Sequence, residues 1–315
     1  MKQQKTNNVV TVLAFLLGLA FLMALLGWLY RPRDNSEEGG TFLTKSMGYL
    51  SEPEDSIDVF FLGSSEFYAG VCPLRIWDEA GITSYDVATP GQRIYHAEYY
   101  LPQILETHRT KLVVFDAFVA VAPGNGDDAV FYQWAKPFPI LLNHNNWKLF
   151  GLKELLSPVR YTHHEVNKGF RPRGIAKGAN YSRYMQKTGR RADVPWINTA
   201  LLDSVCRQCK EAGVELLFLS VPSPVNWNYA RHNTMQDYAD RQGIPFLDLN
   251  LVADEVGIDP KTDFRDGGDH LNGPGAKKVS IYLAAYLREH YGLESHRDDP
   301  AYAQWQQDYI TFTTH

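Results

Sequence analysis

A three-layer α/β/α fold built on a doubly wound, mainly parallel sheet is what this 315-residue sequence predicts. Three observations carry that expectation. Four short, continuous apolar runs, Ile57–Leu62, Lys111–Phe118, Val214–Val221 and Pro245–Leu251, read as strands buried on both faces, since a half-exposed strand would alternate apolar with polar. Helical stretches with one apolar face separate them, so strand and helix take turns along the chain. Two of those helices run into a glycine, Gly213 or Gly243, just ahead of the next strand.

The first element in the chain stands outside that sheet. Val9 to Tyr30 is a run of 22 residues without a charge, ending in Gly27-Trp28-Leu29-Tyr30. At about 1.5 Å per helical residue it crosses a hydrocarbon layer of about 30 Å, and Trp28 and Tyr30 suit its interfacial edge. Residues 1–30 are therefore expected to anchor the chain in a membrane. The alternative, a cleaved signal peptide, would have a shorter apolar region and a small-x-small cleavage site, where this chain has Trp-Leu-Tyr-Arg-Pro-Arg. Lys2 and Lys5 on one side nearly balance Arg31 and Arg33 on the other, so charge codes orientation weakly. A cytoplasmic N-terminus and an extracytoplasmic domain on a cell membrane, of bacterial type, are expected from the habit of lone N-terminal anchors.

Residues 31–55 are polar, contain Gly39-Gly40, and read as a linker. The catalytic-type domain is expected over 56–293. After the first strand comes a weaker strand candidate, Thr83–Ala88. A helix follows between Arg93 and His108, with Ile94, Ala97, Leu101, Ile104 and Leu105 on one face. Residues 119–193 break the alternation: long, rich in Pro, Gly, Asn and Tyr, they read as an insertion covering the C-terminal edge of the sheet, where ligands bind in open α/β sheets. Trp134, Phe138, Trp147, Phe150 and Tyr161 are expected to pack there. Helices from Pro195 to Ala212 and from Tyr229 to Arg241 flank the third long run. The last helix carries Ala276, Val279, Leu283, Tyr286 and Leu287 on one side, and residues 294–315 read as a tail.

Charge and cysteine content exclude several classes. The net charge is −5 with no basic block, so nucleic acid is not an expected partner. Cys206-Arg207-Gln208-Cys209 falls mid-helix, whereas a redox pair opens a helix after a strand, so these and the isolated Cys72 read as plain thiols. No zinc-type spacing of Cys and His occurs, and neither metal nor cofactor is expected.

The chemistry lies in two places. Gly63-Ser64-Ser65 ends the first strand at a strand-to-helix corner. Far downstream, Asp266-Gly267-Gly268-Asp269-His270-Leu271-Asn272-Gly273-Pro274-Gly275 precedes the last helix. A serine hydroxyl is a poor nucleophile unless an imidazole takes its proton and a carboxylate orients that imidazole. Phe67 stands where a Gly-x-Ser-x-Gly elbow would need its last glycine, which argues against the α/β-hydrolase fold. In order and spacing the chain resembles the SGNH (GDSL-like) hydrolases, with a flavodoxin-like sheet. That resemblance implies Ser65 as nucleophile, with Ser64 in the family's Asp position, and His270 as base. It places Gly91, in Asp86-Val87-Ala88-Thr89-Pro90-Gly91-Gln92, in the oxyanion hole beside the Ser65 backbone amide, with Gln92 as a further donor. The family's third block, Gly-x-Asn-Asp, is missing after Lys111–Phe118, and Asn125 in Gly124-Asn125-Gly126-Asp127 is the stand-in.

The family's Asp stands three positions before its His, where this chain has Gly267, so Asp266 and Asp269 both remain candidates. Adjacent side chains of an extended segment point apart, which favours Asp266, folded back by Gly267 and Gly268, and leaves Asp269 to solvent or to the helix-entry loop. Anchored members and cousins of the family, such as alginate O-acetylation and teichoic-acid D-alanylation accessory proteins, modify cell-surface polymers. By that resemblance the chain is a serine esterase or O-acyltransferase acting on an acylated envelope glycan, with a membrane acyltransferase as partner. The competing class is a non-catalytic envelope assembly or binding protein with the same fold, and a further alternative is a lipid or thioester hydrolase.

Overall fold

The computed structural model describes residues 2–36, 38, 44–122, 126–174 and 176–314. Its helices include α1 (Lys2–Leu29), α2 (Ser65–Gly70), α3 (Pro73–Ala80), α4 (Ile94–Thr107), α5 (Trp196–Ala212), α6 (Tyr229–Gln242), α7 (Gly273–Tyr291) and α8 (Ala303–Thr314), with a further helix at Gly126–Ala135. The chain divides into two units, Met1–Thr44 with Asn125–His163, and Lys45–Gly124 with His164–His315.

The larger unit is built on five parallel strands, β1 (Val59–Gly63), β2 (Ser84–Ala88), β3 (Leu112–Asp116), β4 (Glu215–Ser220) and β5 (Phe246–Asp248), in the order β2-β1-β3-β4-β5. This is the flavodoxin-like doubly wound order. Every residue of β1, β2 and β3 is buried, which explains why β1 and β3 read as unbroken apolar runs. The period of two sorts their side chains between two layers. Val59, Phe61, Val114, Leu217 and Leu219 share a core with Val279, Leu283 and Leu287 of α7, and α3 packs on α7 in the same layer. On the opposite face Phe60 meets the ring of His108, Phe218 meets Tyr238 of α6, and α4 packs on α5.

Several boundaries differ from the sequence expectation. The last strand is only three residues long, because Asp248 Oδ1 accepts from Asn250 N–H at 3.0 Å and turns the chain. The second half of the expected linker belongs to the larger unit: Tyr49 is buried with its ring 5.4 Å from Phe60. The expected tail contains α8, which packs on α3 through Trp305, 5.8 Å from the ring of Trp77, and bonds through the buried Asp308 to His164 and Lys168. Cys206 and Cys209 are free thiols on α5, and burial pushes the Cys209 and Cys72 thiols up to about 12.

The insertion divides. Its second half runs beside the loop ahead of α7: Lys177 N–H donates to Phe264 O, Gly267 N–H to Lys177 O, Ala179 N–H to Pro260 O and Gly273 N–H to Arg173 O, at 2.7–3.0 Å. Its first half belongs to the unit that contains α1. There Phe150 is buried, but Trp134 and Trp147 are exposed, contrary to the expectation that the aromatic residues pack. Within α1, Asn8–Leu29 is long and apolar enough to cross a membrane, with a mean hydropathy of 2.8, and of its residues Gly27 alone is buried.

Candidate active site

β1 ends in Gly63 at the corner where Ser64 caps α2 and Ser65 opens it. A Cβ on Gly63 would lie 2.5 Å from Asp116 Cβ, so a glycine is what lets the last residue of β3 come this close. Ser64 uses the approach: its N–H and its hydroxyl donate to Asp116 Oδ2 at 3.0 and 2.7 Å. Phe118 N–H donates to Asp116 Oδ1 at 2.9 Å, and Ser64 Oγ accepts from Glu66 N–H at 3.3 Å as the helix cap. Ser64 is thereby committed to holding the corner.

The next hydroxyl is oriented differently. Ser65 Oγ lies 2.8 Å from His270 Nε2. On the other side of the ring, His270 Nδ1 lies 2.7 Å from Asp266 Oδ2, and His270 N–H donates to Asp266 Oδ1 at 2.8 Å. A carboxylate at Nδ1 places the imidazole proton there and turns the Nε2 lone pair to the serine. Gly267 and Gly268, with φ of +91° and +107°, fold Asp266 back onto the ring, a conformation that side-chain-bearing residues rarely adopt. Burial disfavours the Asp266 charge, but the backbone and ring hydrogen bonds from His270, with Arg265 nearby, outweigh it and hold this carboxyl below the ordinary range.

Asp269 is not left to solvent. Its Oδ2 lies 3.3 Å from His270 Nδ1, and its Oδ1 accepts from the Asn226 amide. The rule that neighbouring side chains point apart holds for extended backbone, and the left-handed Gly268 breaks it here. The same Asn226 amide reaches Glu66 Oε1 at 2.6 Å, and Ser223 Oγ donates to that oxygen at 3.1 Å. Glu66, next to Ser65, is buried. Burial, then the charges of Asp116 and Asp269, raise its carboxyl well above the ordinary range against the hydrogen bonds from Asn226 and Ser223. Burial likewise pushes Asp116 up to about 6, opposed by the bonds from Ser64.

Sequence reasoning passed over Asp116, Glu66, Ser223 and Asn226. Each lies at or just past the C-terminal end of a strand, and polar residues at that edge of a parallel sheet were the available signal. Of the expected oxyanion donors, the Ser65 N–H stands at the first position of α2, where a helix has no internal partner for it. Gly91, at φ +63°, lies in an exposed turn after β2, closed by Gln92 N–H donating to Thr89 O at 3.2 Å. Thr89 N–H donates to Gly63 O at 3.2 Å and ties that turn to the end of β1. Gln92 is buried, and its Nε2 has no hydrogen-bond partner among the described residues. Asn125 lies outside the described residues.

Two groups of side chains come close enough to share a cation. In Glu66, Asp269 and His270, the Asn226 amide already stands between the two acids. In Glu52, His164 and Asp308, the chain supplies its own cation, Lys168 Nζ, 2.6 Å from Glu52 Oε1 and 2.6 Å from Asp308 Oδ2.

No family model matches the sequence, and no curated protein matches it. Among solved structures the chain is similar to a protein described as an acylhydrolase from Bacteroides fragilis, with a TM-score of 0.41 and 12% identity over 79% of this chain and 94% of that one. It is also similar to a lipase/acylhydrolase from Enterococcus faecalis (TM-score 0.38, 12% identity, 76% of this chain and 98% of that one). A third likeness is to a protein from Parabacteroides merdae described as a GDSL-like lipase (TM-score 0.37, 11% identity, 78% and 99%). At such identities the likeness says nothing about substrate. The chain's own topology has what the SGNH resemblance implied: a serine after the first strand, with Asp and His together in one loop before the last sheet-packing helix.

Proposed function

We propose that the chain is a membrane-anchored serine esterase or O-acyltransferase that works through an acyl-enzyme on Ser65. The observation that carries this reading is the unbroken line Asp266–His270–Ser65, with contacts of 2.7 and 2.8 Å. Ser65 Oγ attacks an ester carbonyl while its proton passes to His270 Nε2, and Asp266 stabilises the imidazolium. The tetrahedral intermediate collapses, the alcohol leaves with the proton from Nε2, and an acyl-Ser65 remains. Water, or an acceptor hydroxyl, then attacks with His270 again taking the proton. The Ser65 N–H is the first oxyanion donor in this reading, with the Gly91 turn and the Gln92 amide beside it.

With α1 in a cell membrane and its N-terminus cytoplasmic, the active-site unit works outside the cytoplasm. The substrate class that suits this place is an acyl ester of an envelope glycan, and a membrane acyltransferase is the partner that would supply or share the acyl group. The test is turnover of p-nitrophenyl acetate by the full chain in detergent, followed by peptide mapping after a serine-reactive phosphonate. Ser65→Ala is expected to lower turnover by about 10³-fold or more, and the adduct is expected on Ser65. An adduct on Ser64, or turnover indifferent to Ser65→Ala, would sink the reading and favour a binding protein with this fold. A glycan acceptor that diverts the acyl group from water identifies a transferase.

A further inference from the structure

The end of α1 is held by the first half of the insertion. A Cβ on Gly27 would lie 3.2 Å from the Ile140 nitrogen and 3.3 Å from Pro139 Cδ, so the insertion packs directly on the helix. Asn146 Nδ2 donates to Tyr30 O at 2.8 Å. The Arg33 guanidinium reaches Leu29 O at 2.8 Å, Leu155 O at 2.5 Å and Ser157 O at 3.1 Å, closing helix carbonyls that would otherwise need water. Asp34 accepts from both the N–H and the hydroxyl of Thr162 at 3.0 Å.

That same segment leaves large apolar side chains uncovered. Phe131 is 56% exposed, Trp134 76%, Trp147 60%, Leu152 76% and Leu156 72%. In the much longer active-site unit, Trp196 at 76% and Val225 at 62% are the large apolar residues more than half exposed among the described residues. Single exposed apolar residues are ordinary, whereas a concentration of them marks a contact surface. Depth identifies what the surface touches. The 22 residues Asn8–Leu29 cover about 33 Å at about 1.5 Å each, so a helix crossing a hydrocarbon layer of about 30 Å reaches its far boundary near Gly27–Tyr30. Whatever packs on Gly27 and Tyr30 stands at that boundary, where tryptophan is enriched and long cationic side chains reach for the headgroups. Lys148 Nζ, 5.8 Å from the Trp147 ring, has that arrangement.

We propose that residues 126–156 form an interfacial collar, whose Phe131, Trp134, Trp147, Leu152 and Leu156 side chains lie in the headgroup layer of the bilayer that α1 spans. The proposal rests on the reading of α1 as an anchor. Between residues 126 and 156 the formal charges cancel, Lys136, Lys148 and Lys153 against Asp127, Asp128 and Glu154, so contact is driven by apolar area and is insensitive to salt.

The test uses the full chain in vesicles of phosphatidylcholine brominated near the carbonyl end of its acyl chains, with no other protein present. A Trp28→Phe chain is expected to keep strong bromolipid quenching in low and high salt. Adding Trp134→Phe and Trp147→Phe is expected to remove roughly half or more of the quenchable emission. Unchanged quenching on that addition would overturn the collar, as would Trp134 and Trp147 open to aqueous acrylamide. Protection from acrylamide without bromolipid quenching points to a protein partner and overturns it too. Failure of the anchor is separable: the unmodified chain would then be released by alkaline carbonate, and restoring Trp28 would add no quenching.

Discussion

Asp266 and His270 are joined twice across a four-residue loop, once through the backbone N–H at 2.8 Å and once through ring Nδ1 at 2.7 Å. The double contact fixes both where the imidazole sits and which nitrogen carries its proton. Asp266→Asn keeps the volume but puts an amide donor or a neutral oxygen at Nδ1, so kcat is expected to fall about 10³- to 10⁴-fold. Asp269, whose nearest oxygen is at 3.3 Å, gives the weaker contact, and Asp269→Asn is expected to cost about tenfold or less. Initial rates at matched folded content decide between them. A large loss in Asp269→Asn with near-normal turnover in Asp266→Asn reverses the assignment.

Glu66 makes a prediction about pH. A carboxyl raised above its unfolded value contributes stability that is complete below the unfolded value and lost as pH rises through the folded one. Unfolding midpoints in urea are therefore expected to fall from weakly acidic to alkaline pH. Glu66→Gln keeps the shape of the neutral acid and an oxygen for Asn226 and Ser223, so it should flatten that fall while retaining turnover. A variant that loses activity with an unchanged pH profile would show that the ionised form is the working one.

The serine corner and the Gly-rich loop were legible in the sequence because each is one continuous segment whose local rules suffice. Ser65 follows a buried run, and Gly267-Gly268 announces a reversal that returns Asp266 to its neighbour. The alternation of strands and helices was legible for the same reason. The Glu66–Asn226–Asp269 bridge was not, since its three members come from three separate segments and only the fold makes them neighbours. Nor was α8: its sequence is mostly polar, and it docks through Trp305 and Asp308, three residues apart on one side of the helix. Aromatic density in the insertion signals contact, but sequence does not distinguish a protein core from another apolar surface.

Asn226 holds two acids with one amide, which makes Asn226→Asp a sharp substitution. The new carboxyl has no donor for Glu66 or Asp269 unless it is protonated, and the loss is expected to be about 1–3 kcal/mol at neutral pH. Its own folded pKa would be raised by those neighbours, so stability should return on acidification, the direction in which a raised group takes up its proton. Thermal melts at two pH values read the sign. A variant as stable as the parent at neutral pH would show that the bridge carries no weight.

The cluster beneath α8 predicts two pH slopes of opposite sign. Lys168 is buried, with its Nζ between Glu52 and Asp308 and 4.6 Å from the centre of the Trp305 ring. Burial disfavours the Asp308 charge, but the bonds from His164 and Lys168 prevail and hold its carboxyl below the ordinary range. A depressed carboxyl contributes stability above its unfolded value and loses it as pH falls through the folded one. Removing the ammonium by Lys168→Met leaves two buried acids with only the His164 imidazole beside them, expected to cost about 3–5 kcal/mol at neutral pH. In that variant burial prevails at Asp308 and its carboxyl is raised instead of depressed, so stability should rise on acidification while the Asp308 contribution in the parent falls. His164 is raised by its bond to Asp308 and lowered by the charge of Lys168, so it titrates differently in the two chains, and the urea midpoints at acid and neutral pH are compared with His164→Gln in both. Parallel pH profiles would mean that Lys168 does not neutralise the pair. Profiles that converge toward acid show that the ion triad, more than the apolar contact of Trp305, docks the C-terminal helix.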